Sequence, residues 1–167
     1  RGNVNCEPSL CQDGDMVILS GTLGEHHAAI LGSRMGIHNN IVSDAAPLTE
    51  MVGSLIEHGI QIHAMRDVTR GGLGTVLNEF ASASHCCMNL QEKALPVSEQ
   101  VRDFCGILGL DPMYMGNEGK MVAIVPAAQA QEAVGIIRAC RYGEHAAIIG
   151  QIEKAETTEP AVILHTG

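Results

Sequence analysis

Apolar residues recur along this chain with two periods, and the switches between them mark out its elements. Met16 to Ser20 (MVILS) is a short β-rich run that follows the turn signal Asp13-Gly14-Asp15. Glu25 to about Met35 reads as a helix. Leu48, Met51, Val52, Leu55 and Ile56 then fall on one helical stripe, which Gly59 closes as the C′ residue. Gln61 to Met65 predicts the next strand. Beyond a turn over Arg66 to Gly72, Leu73, Val76, Leu77 and Phe80 share one helical face. Cys86 to Leu90 reads as a strand, and Val101, Phe104, Cys105 and Leu108 return to helical spacing that ends at Gly109. Lys120 to Val125 is a strand, and Pro126 suits the first position of a helix carrying Ala130, Ala133, Val134 and Ile137 on one face. Two apolar runs close the chain, Ala146 to Ile152 and Ala161 to His165, and these are expected to pair with each other.

Strands and helices alternate for most of the length. The expected fold is therefore α/β (α+β), a mixed β-sheet with helices packed against it. One domain covers residues 1–167, with 1–12 as a polar lead-in. The chain opens on Arg1-Gly2-Asn3-Val4-Asn5 and stops directly after an apolar run, so both ends look like cuts in a larger protein.

Composition narrows this picture. Apolar residues make up 46% of the chain but aromatic residues only 2%, so Ala, Val, Ile, Leu and Met must build the core. The formal charge of −9 disfavours non-specific contact with nucleic acid or an anionic membrane, and no basic block offsets it. Apolar runs stay well short of bilayer length, and no secretory signal is present. The six cysteines, Cys6, Cys11, Cys86, Cys87, Cys105 and Cys140, include no C-x-x-C pair. They fit reduced, mostly buried thiols in a cytoplasmic protein better than a disulfide framework.

Three segments carry candidate chemistry. Arg66-Asp67-Val68-Thr69-Arg70-Gly71-Gly72-Leu73 lies between a predicted strand and a predicted helix. Unpaired N–H groups at a helix start, two glycines that admit close approach and an Arg70 guanidinium suit a phosphate. Asp67 or Thr69 could cap that helix, and a plain capped turn with a surface arginine is the alternative. Gly116-Asn117-Glu118-Gly119-Lys120 places a carboxylate between two glycines at the mouth of a strand, where it can serve as a base or simply as a polar turn. Ser20-Gly21-Thr22-Leu23-Gly24-Glu25-His26-His27 carries adjacent histidines. Neighbours on a helix diverge by roughly 100°, so one packed and one exposed histidine is expected rather than a metal pair. Likewise one of Cys86 and Cys87 should face the core, and no metal ligands are assigned.

Together these segments resemble the HypE family of hydrogenase maturation proteins, the carbamoyl dehydratases. MRDVTRGGLGTVLNEFA (Met65 to Ala81) resembles the family signature M-R-D-x-T-R-G-G-L-x-x-x-L-N-E. DGDMVILSGTLGEHHAAIL (Asp13 to Leu31) and LGLDPMYMGNEGKMVAIV (Leu108 to Val125) resemble two further segments, with Gly116 standing where Ala is usual. The matches keep their order from Asp13 to Ile152. The aminoimidazole ribonucleotide synthetase and selenophosphate synthetase branches of the superfamily differ at the strand–helix turn.

The resemblance implies that this chain is the second, C-terminal domain of a two-domain protein. A missing N-terminal domain would form the homodimer and hold most of the ATP and Mg2+ ligands. A missing tail would end in the cysteine that HypF carbamoylates. ATP-dependent loss of water would then leave a thiocyanate, whose cyanide passes to iron on the HypC–HypD complex. Carried over residue by residue, Glu118 becomes the group expected to act in dehydration, with Asn117 orienting it. Asp67, Thr69, Arg70, Gly71 and Gly72 match the turn facing the nucleotide, for phosphate approach or domain positioning. The isolated domain is expected to be inactive. The rival expectations are an ATP-dependent synthetase of the same superfamily and a non-catalytic docking domain for maturation partners.

Overall fold

The computed structural model describes residues 5–154 and 159–167. Among these, strands β1 (Met16–Leu19), β2 (Ala64–Asp67), β3 (Cys86–Gln91), β4 (Met121–Val125), β5 (Ala147–Lys154) and β6 (Val162–His165) form one mixed sheet in the order β2-β4-β1-β5-β3-β6. Adjacent strands run antiparallel except β3 and β6, which are parallel. The helices are α1 (Glu25–Met35), α2 (Thr49–Glu57), α3 (Gly72–Ser84), α4 (Glu99–Leu108) and α5 (Ala127–Ala139).

The hydrophobic pattern explains how these layers stack. β1 and β4 are near-continuous apolar runs because helices cover both of their faces. Val17, Leu19, Val122 and Ile124 face α3, where Leu73, Val76, Leu77 and Phe80 are all buried. Ile18, Met121 and Val125 face the other layer, built from Met51 and Leu55 of α2 and Ala130, Ala133, Val134 and Ile137 of α5. β3 instead alternates, with Cys86, Met88 and Leu90 turned to α3 and Cys87, Asn89 and Gln91 on the opposite, more open face. A third, smaller core joins Ala28 of α1 to Val101, Phe104 and Cys105 of α4 and to Met115. Ser98 caps α4 by accepting from the Val101 N–H, and Gly109 ends it in a left-handed turn.

Three expectations need correction. The second strand is Ala64–Asp67 rather than Gln61 to Met65, because its ladder with β4 runs from Ala64↔Ile124 to Asp67↔Met121. Arg66 and Asp67 therefore belong to a strand end and not to the turn. The last two strands do not pair with each other: β3 inserts between them, and β6 aligns parallel to it from Met88↔Val162 to Gln91↔His165. Pro126 stands one residue before α5, with extended backbone at ψ 141°, and helical geometry begins at Ala127.

One buried polar pair went unmarked by any sequence pattern. His63 Nδ1 and Asp15 Oδ2 lie 2.6 Å apart with side chains only 6% and 5% exposed, and the Gln12 N–H also donates to that Asp15 oxygen. The pair joins the lead-in to the start of β2.

All six cysteines lie among the described residues as free thiols, with Cys86 buried and Cys87 half-buried. Burial, reinforced by the nearby Asp15 carboxylate, pushes the Cys11 thiol up to about 12. Burial likewise raises Cys105, with a contribution from Asp111. Only the thiolate attacks alkylating reagents. Native protein treated with iodoacetamide at pH 8 should therefore leave Cys11 and Cys105 unmodified, while urea-unfolded protein reacts at all six, as peptide mass mapping would read out. A thiol raised in the fold stabilises below its unfolded value near 9 and loses that contribution as pH climbs toward the folded value. The melting temperature should accordingly fall between about pH 9 and 12.

Candidate active site

Three loops meet at one end of the sheet, those leaving the ends of β1 and β2 and the one entering β4. They are the three segments singled out above. The β2–α3 turn bends through two consecutive left-handed residues, Gly71 at φ +83° and Gly72 at φ +68°. That backbone is strained for any residue with a Cβ. Gly72 is also pressed against the 113–115 segment: a Cβ there would stand 2.5 Å from the Met113 carbonyl and 2.8 Å from that of Met115. Gly72 is thus buried by the protein's own backbone, whereas Gly71 remains partly open.

No side chain caps α3. The expected cap from Asp67 or Thr69 is absent because the two bond each other, the Thr69 hydroxyl donating to Asp67 Oδ2 at 2.7 Å. Thr75, one turn into the helix, turns its hydroxyl back to the Gly71 carbonyl at 2.8 Å. The turn is held from both sides without a capping residue.

Asn117 is fully buried, and its carboxamide bonds backbone from three segments. Oδ1 accepts from the Gly24 N–H at 2.8 Å, while Nδ2 donates to the carbonyls of Val68 and Met115, each at 3.0 Å. The side chain therefore fixes the loop rather than touching the Glu118 carboxylate. Glu118 itself is exposed. Its N–H donates to Asp44 Oδ1 at 3.1 Å, the Gly119 N–H donates to Asp44 Oδ2 at 3.3 Å, and Lys120 Nζ donates to that same oxygen at 2.9 Å. Sequence inspection passed over Asp44, which sits in an irregular stretch between α1 and α2 with no periodicity to mark it.

The histidine pair splits. His26 Nδ1 lies 2.8 Å from Ser43 Oγ, while exposed His27 exchanges backbone and ring hydrogen bonds with Gly116. They serve different neighbours, and no group of three or more His, Cys, Asp or Glu among the described residues is arranged to hold a metal ion.

One open cleft of about 830 Å³ brings the first two segments together. Thr69, Arg70, Gly71, Gly116 and Glu118 line it, along with Arg66, Thr75 and Glu79. Asp67, Gly72 and Asn117 support it from behind. Arg66 and Glu79 form an ion pair across its wall, each about half exposed. Beside the Arg66–Glu79 pair, the cleft presents the Arg70 guanidinium and the open backbone at Gly71, while the Thr69 and Thr75 hydroxyl hydrogens are already given to Asp67 and to the Gly71 carbonyl. That donor set fits the phosphates of a nucleotide, and the Glu118 carboxylate stands in the same space as a proton acceptor.

Residues 12–163 match the family described as AIR synthase related protein, C-terminal domain. A putative hydrogenase expression/formation protein of Methanocaldococcus jannaschii is 45% identical over 145 residues, 86% of this chain and 43% of the relative. The carbamoyl dehydratase HypE of Azotobacter vinelandii is 45% identical over 141 residues, 83% of this chain and 41% of the relative. The chain therefore spans less than half the length of these relatives. A crystal structure of HypE in complex with ATP superposes with a TM-score of 0.91 at 38% identity, covering 97% of this chain and 50% of that one. A HypE–HypF complex superposes at 0.89 and 33% identity, covering 98% and 53%.

The two roles assigned to neighbouring residues separate in a stability experiment. Asn117→Ala strips the side-chain partner from the buried Gly24 N–H and Met115 carbonyl, while the Val68 carbonyl keeps the Asn117 N–H, and should cost about 2–4 kcal/mol. Glu118→Gln, at an exposed position, should stay within about 0.5 kcal/mol. Urea unfolding monitored by circular dichroism measures both.

Proposed function

This chain belongs to the AIR synthase-related C-terminal domain family, in its HypE branch, and from that premise we propose that it is the C-terminal half of an ATP-dependent carbamoyl dehydratase. The reaction converts an S-carbamoyl cysteine, carried on the intact protein, to S-cyano cysteine with net loss of one water. Its product supplies the cyanide ligands of the iron in nickel–iron hydrogenase.

The observation that carries this reading is the shared cleft. Glu118 and the Thr69-Arg70-Gly71 turn lie far apart in sequence yet line one concavity. ATP, held with Mg2+ mostly by the remaining half of the protein, supplies the phosphoryl group that makes the carbamoyl oxygen a leaving group. Glu118 takes a proton from the carbamoyl nitrogen, whose electrons then close the carbon–nitrogen triple bond. Arg70 binds phosphate oxygens and Gly71 lets them approach the backbone, while the Thr69 hydroxyl is held by Asp67 and lines the turn. Asp67 and Gly72 keep that turn in shape, and Asn117 holds the Glu118 loop.

HypF donates the carbamoyl group, and a solved complex of HypE with HypF supports that partnership. The HypC–HypD complex receives the cyanide. The dimer forms through the other half of the protein, and the 167-residue chain alone does not turn over. No helix among the described residues is long and apolar enough to cross a membrane, which is consistent with work in the cytoplasm.

Intact-mass spectrometry on the two-domain protein, incubated with HypF, carbamoyl phosphate and ATP, tests the proposal. Wild type should gain a carbamoyl group and then lose water. Glu118→Gln should stall at the carbamoyl stage, its dehydration slowed by roughly 10²–10⁴-fold, the range of a lost general base. Equal dehydration by both proteins would remove Glu118 from the chemistry, and failure of wild type to take the adduct would remove the dehydratase assignment. Arg70→Ala should raise the KM for ATP by about tenfold, as expected for one charge-assisted hydrogen bond.

A further inference from the structure

We infer that Asp44 is a positioning residue, clamping the backbone of the Glu118 loop so that the carboxylate is presented to the cleft in one orientation. The inference rests on the role proposed above for Glu118, which it deepens.

Asp44 lies in the irregular stretch between α1 and α2, yet its side chain is only 4% exposed. Its two oxygens accept three hydrogen bonds, from the N–H groups of Glu118 and Gly119 and from Lys120 Nζ. Two consecutive amides directed at one carboxylate define the backbone course through Glu118 and hence the direction in which its side chain leaves. The contact is also steric: a Cβ on Gly119 would stand 2.0 Å from the Asp44 carbonyl oxygen and 2.9 Å from the Ala46 nitrogen. The loop and the 44–46 stretch therefore lie backbone against backbone, and Gly119 is required for that approach.

The charge of the clamp is balanced inside the protein. Lys120, with its side chain 8% exposed, is the cation facing Asp44, and its aliphatic stem runs against Gly21. The clamp is itself anchored, because Ser43 Oγ lies 2.8 Å from His26 Nδ1 and accepts from the Ala45 N–H at 3.2 Å. A single carboxylate thus ties the 43–46 stretch to the loop entering β4, and Ser43 ties that stretch to the first turn of α1. An amide in place of the carboxylate could not accept from both loop N–H groups and from lysine at once, since one of its two polar atoms is a donor. Glu118 uses its backbone for anchoring and keeps its side chain for the cleft, the division expected where a reactive group must be held in register.

The test uses the intact two-domain protein with Asp44→Leu/Lys120→Met, which removes the acceptor of both loop amides and takes away the buried charges as a pair, leaving none unpaired. Asp44→Ala serves as a second variant with a different packing defect. Two quantities are read: hydrogen exchange at the Glu118 and Gly119 amides, with the Gly24 amide as internal control, and the single-turnover dehydration rate alongside the KM for ATP. The expected result is loss of protection at Glu118 and Gly119 but not at Gly24. The dehydration rate should fall by about tenfold to a hundredfold, the scale of a reactive group displaced by about an ångström, with the KM for ATP within about twofold. Unchanged protection at the two amides overturns the inference. So does lost protection with an unchanged dehydration rate while Glu118→Gln is inactive, because Asp44 would then be a structural bracket alone. If Glu118→Gln itself dehydrates at the wild-type rate, the role of Glu118 fails first and the positioning role falls with it. The exchange data would still report whether the clamp exists.

Discussion

The Asn117 carboxamide is sealed from water, and every hydrogen bond it makes is to backbone from a different part of the fold: the start of α1, the end of β2 and the loop entering β4. A buried amide left partly unpaired is costly, so these segments can meet in few ways. The candidate site depends on that meeting. It sets the Gly71–Gly72 turn beside the loop carrying Glu118, and the cleft between them is the space that remains. Ser20 completes the arrangement from β1, its hydroxyl accepting from the Met121 N–H at 2.9 Å.

The scaffold beneath the site is asymmetric. Helices cover both faces of β4 and β1, whereas β3 and β6 are covered chiefly by α3 and, with the far end of β5, leave Asn89, Gln91, Gln151 and Glu153 toward the open side. The loops leaving β1 and entering β4 rise from the doubly covered half, where the strands have least freedom to shift, while the turn carrying Arg70 leaves the edge strand β2. The exposed Glu118 side chain is thereby carried on backbone anchored to the doubly covered half, which suits a site that must orient a reactive group and still admit a ligand. The chain is acidic overall and the cleft itself is balanced, with Arg66 and Arg70 beside Glu79 and Glu118, so attraction for phosphate is local to the Arg70 guanidinium rather than a property of the whole surface.

Much of this was legible before any coordinates. Strands buried on both faces appeared as unbroken apolar runs, helices buried on one face appeared at 3.6-residue spacing, and glycines marked the ends of α2 and α4. Local sequence carries these signals because they arise from neighbours along the chain. Glu118, Arg70 and the glycine turn were also visible, since a carboxylate between glycines and an arginine before a double glycine are unusual local compositions. Asp44 was not, because it lies in an aperiodic stretch and acts on residues more than seventy positions away.

The sequence by itself determined which segments become strands and helices and which residues could carry chemistry, because apolar periodicity and backbone freedom are local properties. Only the tertiary structure decided the strand order, the insertion of β3 between β5 and β6, the boundaries of β2 and the absence of a cap on α3. Those features depend on which backbone groups find partners across the sheet and on side chains that satisfy each other first, as Thr69 and Asp67 do. The convergence of three loops on one cleft belongs to the same class. Hydrogen-bonding groups buried together must be paired together, and no stretch of sequence read alone says with whom.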